Sequence, residues 1–189
     1  MHKFQCKCGA LGGYIQNTGI SNRIICYCAD CQAFANFLGG DDVVDGHGGT
    51  EIVQIAQHRL KFSHGKDHLA VMRLRPNGLF RWYASCCNTA FGNTLGNPKL
   101  SFIGLIHSCL DQSAMDADFG KDIAQVNIES AIGEAKPKQK GLAGILLRFL
   151  RIVLSGRFFG TYKQSPLFND AGMPVIEPRI LSSQERSSL

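Results

Sequence analysis

Three cysteines fall within six residues in the stretch Ile24-Ile25-Cys26-Tyr27-Cys28-Ala29-Asp30-Cys31-Gln32, a C-x-C-x-x-C pattern. Alternate residues of a strand share a face, so Cys26 and Cys28 project to the same side, and a turn after Cys28 brings Cys31 back towards them. Three sulfurs with no local fourth partner suit an open metal site: a catalytic zinc is held by three protein ligands and one open position, a structural zinc by four. Two further groups follow the same logic, Cys6-Lys7-Cys8-Gly9 near the start and Cys86-Cys87 within Tyr83 to Asn93. Two short-spaced pairs distant in sequence can close one site between them, stapling the N-terminal strand to the later turn. Gly9 suits the turn of such a site because glycine accepts positive φ. Seven of the eight cysteines lie in these three groups, which favours metal binding over scattered core cysteines. Cys109 stands alone in an apolar neighbourhood and reads as a small buried hydrophobe.

The elements that must position these sulfurs follow from composition and pattern. With 189 residues, 44% hydrophobic, the chain is long enough for one domain with a real core and an appended segment, and 21 glycines imply many turns. The formal charge of +5 is modest, and much of it comes from the C-terminal third. Met1 to Cys6 lacks the apolar core of a signal peptide, and no apolar run reaches the roughly 18–20 residues of a membrane span. The expected compartment is therefore the cytoplasm, where clustered cysteines more often bind metal than pair as disulfides.

Short strands are expected at Tyr14–Gln16, Arg23–Tyr27, Thr50–Ile55, Leu60–Phe62, His68–Leu74, Leu79–Tyr83 and Leu100–Ile106, with a short strand or loop at Ala124–Ile128. Pro76-Asn77-Gly78 marks a hairpin turn, Asp41 to Gly49 a polar loop, and Gly39-Gly40 the stop of a short helix over 32–38. This spacing predicts a mainly β, antiparallel fold over residues 1–132 rather than βαβ units. Residues 133–141 read as a linker. Beyond them Leu142, Ile145, Leu146, Phe149 and Val153 share one helical face, with Arg148, Arg151 and Ser155 on another, predicting an amphipathic helix over 142–155. The tail from Thr161, with Pro166, Pro174 and Pro178, reads as extended or wrapped over the domain.

Cys6-Lys7-Cys8-Gly9-Ala10, Cys26 to Gln32, and Arg81 through Cys87-Asn88-Thr89-Ala90-Phe91 together resemble the three motifs of the glutathione-dependent formaldehyde-activating enzyme family. The resemblance covers roughly residues 3–105 and implies a β-tent fold with two zinc sites. One is a closed structural site from the first C-x-C and a later C-x-x-C-G. The other is a three-cysteine site on Cys26, Cys28 and Cys31, near which glutathione binds. The third motif departs from the pattern, because Ala84 stands where the family has a cysteine and Cys86 is the nearby replacement. Either the turn bends so that Cys86 and Cys87 both reach the metal, or the site keeps three sulfurs plus another ligand, or it has lost zinc. The resemblance implies one or two zinc ions per chain and a carbon–sulfur lyase that joins a small thiol, glutathione, to an aldehyde, formaldehyde.

The histidines His47, His58, His64, His68 and His107 are scattered without an H-x-x-x-H or H-x-E pair and read as surface or turn residues, His47 being the candidate for a substrate contact. Trp82 and Tyr83 are expected to fill the core near the metal. The apolar face of helix 142–155 reads as docking on the β domain or on a second subunit. A rival from a different class is a non-catalytic zinc module whose helix contacts a protein partner or a membrane surface. No recognised motif accompanies the positive residues, so nucleic-acid binding is not expected.

Overall fold

A computed structural model of the chain describes residues 1–40 and 42–189, and the fold is mainly β, with two sheets and a C-terminal helix. The smaller sheet has the order β1-β2-β5, from β1 (His2–Gln5), β2 (Gly12–Ile15) and β5 (Leu60–His64). The larger, of eight strands, has at its centre β3 (Asn22–Cys26), β4 (Thr50–Ala56), β9 (Phe102–Ile106), β8 (Thr89–Thr94), β7 (Phe80–Ala84) and β6 (Leu69–Arg73), side by side in that order. Pairing is antiparallel except at the two edges of the large sheet, where β10 (Ile123–Val126) runs parallel to β3 and β11 (Arg179–Ile180) parallel to β6. Both edge strands come from the C-terminal part of the chain, which reaches them by long connections rather than hairpins.

The pleat sorts side chains between two cores. Val53 pairs with Leu105, and with Ile55, Ile103, Trp82 and Phe91 they face Phe4, Ile15 and Leu60 of the small sheet. The next pair along, Ile52 with Ile106, points the other way. On that side α1 (Ala29–Leu38) lays Ala33, Phe34 and Leu38 against Met72, Leu74, Ala90 and Ile106. Gly39 ends α1 in the left-handed conformation, φ 64°, its N–H donating to the Asn36 carbonyl, as the sequence predicts. Beside α1 on the same face lies α3 (Leu142–Phe158), where the Phe149 ring meets Phe102 edge-on at 4.8 Å and Asn22 Nδ2 donates to the Ile145 carbonyl at 3.2 Å.

Several expectations were incomplete. The expected N-terminal strand is β1, but β8 was not foreseen as a strand; Thr89-Ala90-Phe91-Gly92-Asn93-Thr94 is buried at every position because it lies between β7 and β9, so it shows no alternation to read. α2 (Met115–Phe119) forms where a polar stretch stood in the sequence, and Met115 and Phe119 join the main core. The expected loop over Asp41–Gly49 is a run of turns from residue 42, Asp41 itself lying outside the described residues. The C-terminal helix runs to Phe158, one turn further than its first apolar face suggests. After it the chain wraps the domain: Leu167 and Phe168 enter the main core, with Phe168 5.8 Å from the Phe80 ring and 6.1 Å from Trp82, and Leu181 joins the α1 side ahead of α4 (Ser183–Ser187). No helix among the described residues is long and apolar enough to cross a membrane.

Candidate metal centres

Cys6 directly follows β1 and Cys8 stands in the tight turn before β2, whose Gly9 takes the left-handed φ of 78°. That turn is tied by Gly9 N–H donating to the Cys6 carbonyl, while Leu11 N–H donates to Cys6 Sγ at 3.3 Å. His64 Nε2, 3.0 Å from the Gly9 carbonyl, braces it from β5. Opposite stands the β7–β8 turn, closed by Asn88 at φ 53°, a conformation asparagine tolerates better than most residues. It supplies the bend that adjacent cysteines need in order to aim at one point. Cys6 Sγ lies 3.6 Å from Cys8 Sγ and 3.8 Å from Cys86 Sγ; Cys8 and Cys86 are 3.4 Å apart, and Cys86 and Cys87 3.8 Å. All four sulfurs sit within 4.8 Å of one another. A backbone clamp, Lys7 N–H to Thr89 Oγ1 at 2.9 Å, holds the two turns together. Ala84, at the position of the expected cysteine, is buried in β7 opposite Leu69 and Thr89 and takes no part.

Burial pushes the Cys87 thiol up, but the Thr89 hydroxyl at 3.1 Å and hydrogen bonds from the Cys8 turn outweigh it and hold Cys87 down to about 6. Cys86 goes the other way, raised by burial and by its neighbouring sulfurs.

The second cluster is built on one strand end and one helix start. Cys26 ends β3, Cys28 is the N-cap of α1, and Cys31 lies in its first turn, its N–H donating to the Cys28 carbonyl at 3.0 Å. The three sulfurs lie within 4.8 Å of one another, and among the described residues no fourth histidine, cysteine or carboxylate joins them. The unpaired N–H groups of the α1 start favour negative charge there. Cys26 and Cys31 are buried, Cys28 is half-buried. Hydrogen bonds from Cys28 and Cys31, and a further one from Asn127 Nδ2 at 3.1 Å, hold Cys26 far below the ordinary thiol range, whereas Cys28 and Cys31, facing that thiolate, are pushed up.

Two side chains that spacing arguments missed complete this site. Arg81 on β7 is 2% exposed, lies 5.5 Å over the Phe34 ring, and donates from Nη1 to Cys31 Sγ at 3.6 Å and to Asn93 Oδ1 at 3.2 Å. No carboxylate pairs with it among the described residues, and its hydrogen-bond partners are the Cys31 sulfur and the Asn93 amide oxygen. Asn127, φ 55°, follows the parallel strand β10 and brings its amide to Cys26. The usable signal for Arg81 was a charged residue between Phe80 and Trp82 in a strand too apolar to be exposed.

The histidines join neither cluster among the described residues. His47 faces the Ile132 carbonyl at 3.1 Å and His107 the Glu51 carbonyl at 3.3 Å. Trp82 is fully buried, its Nε1 donating to Thr94 Oγ1 at 2.9 Å, while Tyr83 packs against the α1 side with its ring 6.1 Å from Phe37. Cys109 is buried with its thiol donating to the Ile106 carbonyl at 3.1 Å, and burial raises its pKa. Both cysteine clusters can therefore bind a metal ion.

The sequence profile of a family of unknown function, DUF6151, matches residues 1–179. The chain belongs to the DUF6151 family. The match takes in every cysteine as well as α3, so both clusters and the C-terminal helix lie within the family's extent. No curated protein matches this DUF6151 chain. Among solved structures it is similar to the crystal structure of a Rhodobacter sphaeroides protein from a structural-genomics programme, at 17% identity over 58% of this chain and 88% of that one, with a TM-score of 0.39.

Proposed function

We propose that this protein is a zinc enzyme that makes or breaks the carbon–sulfur bond between a small thiol and an aldehyde, with Cys26, Cys28 and Cys31 as its reactive site and Cys6, Cys8, Cys86 and Cys87 as a structural one. The observation that carries the reading is the unequal completion of the two clusters: four sulfurs converge in one and three, without a fourth protein donor among the described residues, in the other. A tetrahedral zinc with Zn–S bonds of about 2.3 Å needs sulfurs about 3.8 Å apart. The four-sulfur separations of 3.4–3.8 Å fit that edge. The donor set, all thiolate, is one that selects zinc among the common divalent ions. The motif order shared with the glutathione-dependent formaldehyde-activating enzymes supports the choice of thiol and aldehyde, with glutathione and formaldehyde as the first pair to test.

In the three-cysteine site Cys26, Cys28 and Cys31 would hold the zinc, which when bound stabilises a substrate thiolate and polarises a carbonyl. Addition joins sulfur to the carbonyl carbon, and the thiol proton ends on the carbonyl oxygen, so no oxidant is needed. The chain's own contribution is electrostatic. Arg81 and the Asn127 amide place donors on two of the three sulfurs, and the α1 start adds the positive end of its dipole. Half-buried Cys28 gives the side from which a small thiol reaches the site.

Zinc content of the purified protein, compared with a Cys26→Ser, Cys28→Ser, Cys31→Ser variant, tests the reading. Two zinc ions falling to one is the expected result; one ion, unchanged in the variant, would sink the reactive site. Glutathione at millimolar concentration is expected to raise the thermal midpoint of the zinc-loaded protein, and no shift would remove glutathione as the thiol.

A further inference from the structure

We propose that α3 docks the protein on an anionic lipid surface, lying in the plane of the interface with its outer leucines inserted. The helix carries two apolar faces, and the fold uses one. Ile152 and Val153 are buried, and Ile145 and Phe149 pack on the large sheet, which fixes the roll of the helix. Leu142, Leu146, Leu150 and Leu154, at i, i+4 spacing, then form a ridge that points to water, with Leu147 beside it. Leu146 is 59% exposed, Leu154 61%, and the edge-on pair Phe158 and Phe159 at the helix end 86% and 73%. Among the described residues nothing covers this ridge, and a contiguous apolar surface of this kind marks an interaction site.

Charge identifies the occupant. From residue 135 to residue 169 the chain has seven lysines and arginines and no acidic residue, which exceeds the formal +5 of the whole protein and leaves the remainder at net −2. Lys136, Lys138 and Lys140 are exposed on the strand of chain that feeds α3, and Arg151 and Arg157 are exposed on the helix itself. A leucine ridge flanked by long cationic side chains and closed by two phenylalanines matches a bilayer interface, where the stems lie on apolar surface and the charges reach lipid phosphates. A symmetric dimer through the same ridge would bring two copies of this cationic segment together, with no acid within the segment itself to offset them. At 17 residues with three arginines, α3 lies on the membrane and does not cross it.

The test is sedimentation of the zinc-loaded full chain with vesicles of phosphatidylcholine, with and without phosphatidylglycerol, at low and physiological salt. The expected result is partition at least about tenfold stronger onto the anionic vesicles, weakening with salt. Leu150→Asp with Leu154→Asp should abolish it, and Lys136→Glu, Lys138→Glu, Lys140→Glu should remove the preference for anionic lipid. Both sets change exposed side chains, so zinc content and circular dichroism report that the variants fold. Equal, negligible sedimentation with both vesicles overturns the proposal. So does a concentration-dependent dimer that Leu150→Asp with Leu154→Asp dissociates while vesicle binding is absent, since the ridge is then a self-association surface.

Discussion

Arg81 places Nη1 3.6 Å from Cys31 Sγ inside the protein, with Phe34 against its plane and Asn93 as its other partner. A buried guanidinium without a carboxylate is stable only where another anion faces it, and three thiolates around a divalent ion leave one net negative charge. Arg81→Met is therefore expected to cost about 3–5 kcal/mol in folding stability, the scale for breaking a buried charge pair. It should also release metal from the three-cysteine site in chelator competition while leaving the four-cysteine site loaded. Arg81→Lys, which keeps the charge but loses the planar fork, should fall between. Equal metal retention in all three proteins would separate Arg81 from the sulfurs.

Cys86 and Cys87 are expected to be equivalent in the structural site. Each lies 3.8 Å from the other's sulfur, and both face Cys6 and Cys8 across the turn. Cys86→Ala and Cys87→Ala should each lower the thermal midpoint by a similar amount, on the order of several kcal/mol of stability, because each would remove one ligand of the proposed metal site, whose binding would add to folding stability. Cys109→Ala, outside both cysteine clusters, should cost no more than about 1–2 kcal/mol of packing and leave metal content unchanged.

The Cys87 thiol gives a pH dependence in the metal-free protein. Its pKa near 6 lies below the ordinary 9.0, so its contribution to stability is full above about 9 and is lost as pH falls through about 6. Thermal midpoints of the chelator-treated protein should rise with pH across that window. Alkylation by iodoacetamide, read by peptide mass, should modify Cys87 at neutral pH with a midpoint near 6 and leave buried Cys109 unmodified. Thr89→Val should move the midpoint up.

The cysteine clusters were legible because the spacing within Cys6–Cys8, Cys26–Cys31 and Cys86–Cys87 is local, and a turn suffices to converge each group. Their assembly was legible only as far as pairing the first group with the last. The Arg81 and Asn127 contacts join residues 50 and 101 positions apart in sequence and exist only once β7, α1 and β10 are stacked. β8 escaped because a central strand with buried threonines and asparagine carries neither alternation nor an apolar run. For α3 the period was right, but pattern alone assigns no direction to a helix apolar on two sides; the sheet contact through Phe102 and Phe149 does.

The C-terminal tail is expected to be integral to the fold. Phe168 is 6% exposed and packs edge-on against Phe80 and Trp82, on the far side of the sheet from α3. Phe168→Ala should cost about 3–5 kcal/mol, as for other buried aromatic truncations, and removal of residues 161–189 should leave the cysteine-bearing part unable to give a cooperative urea transition. A truncated chain with unchanged midpoint and slope would make the tail an accessory.

Asn127 separates backbone from side-chain roles at the three-cysteine site. Its φ of 55° suits asparagine or glycine, and its Nδ2 donates to the Cys26 sulfur at 3.1 Å. Asn127→Gly keeps the backbone conformation and removes the donor, a bond to a charged group worth about 1.5–3 kcal/mol. Asn127→Ala removes the donor and adds left-handed strain of about 1–2 kcal/mol. Metal affinity at the three-cysteine site should drop alike in both variants, whereas the thermal midpoint should drop further in Asn127→Ala. Were Asn127→Gly to hold metal as tightly as the wild type, the amide would be a loop brace, and the negative charge on Cys26 would rest on its neighbouring sulfurs and the start of α1.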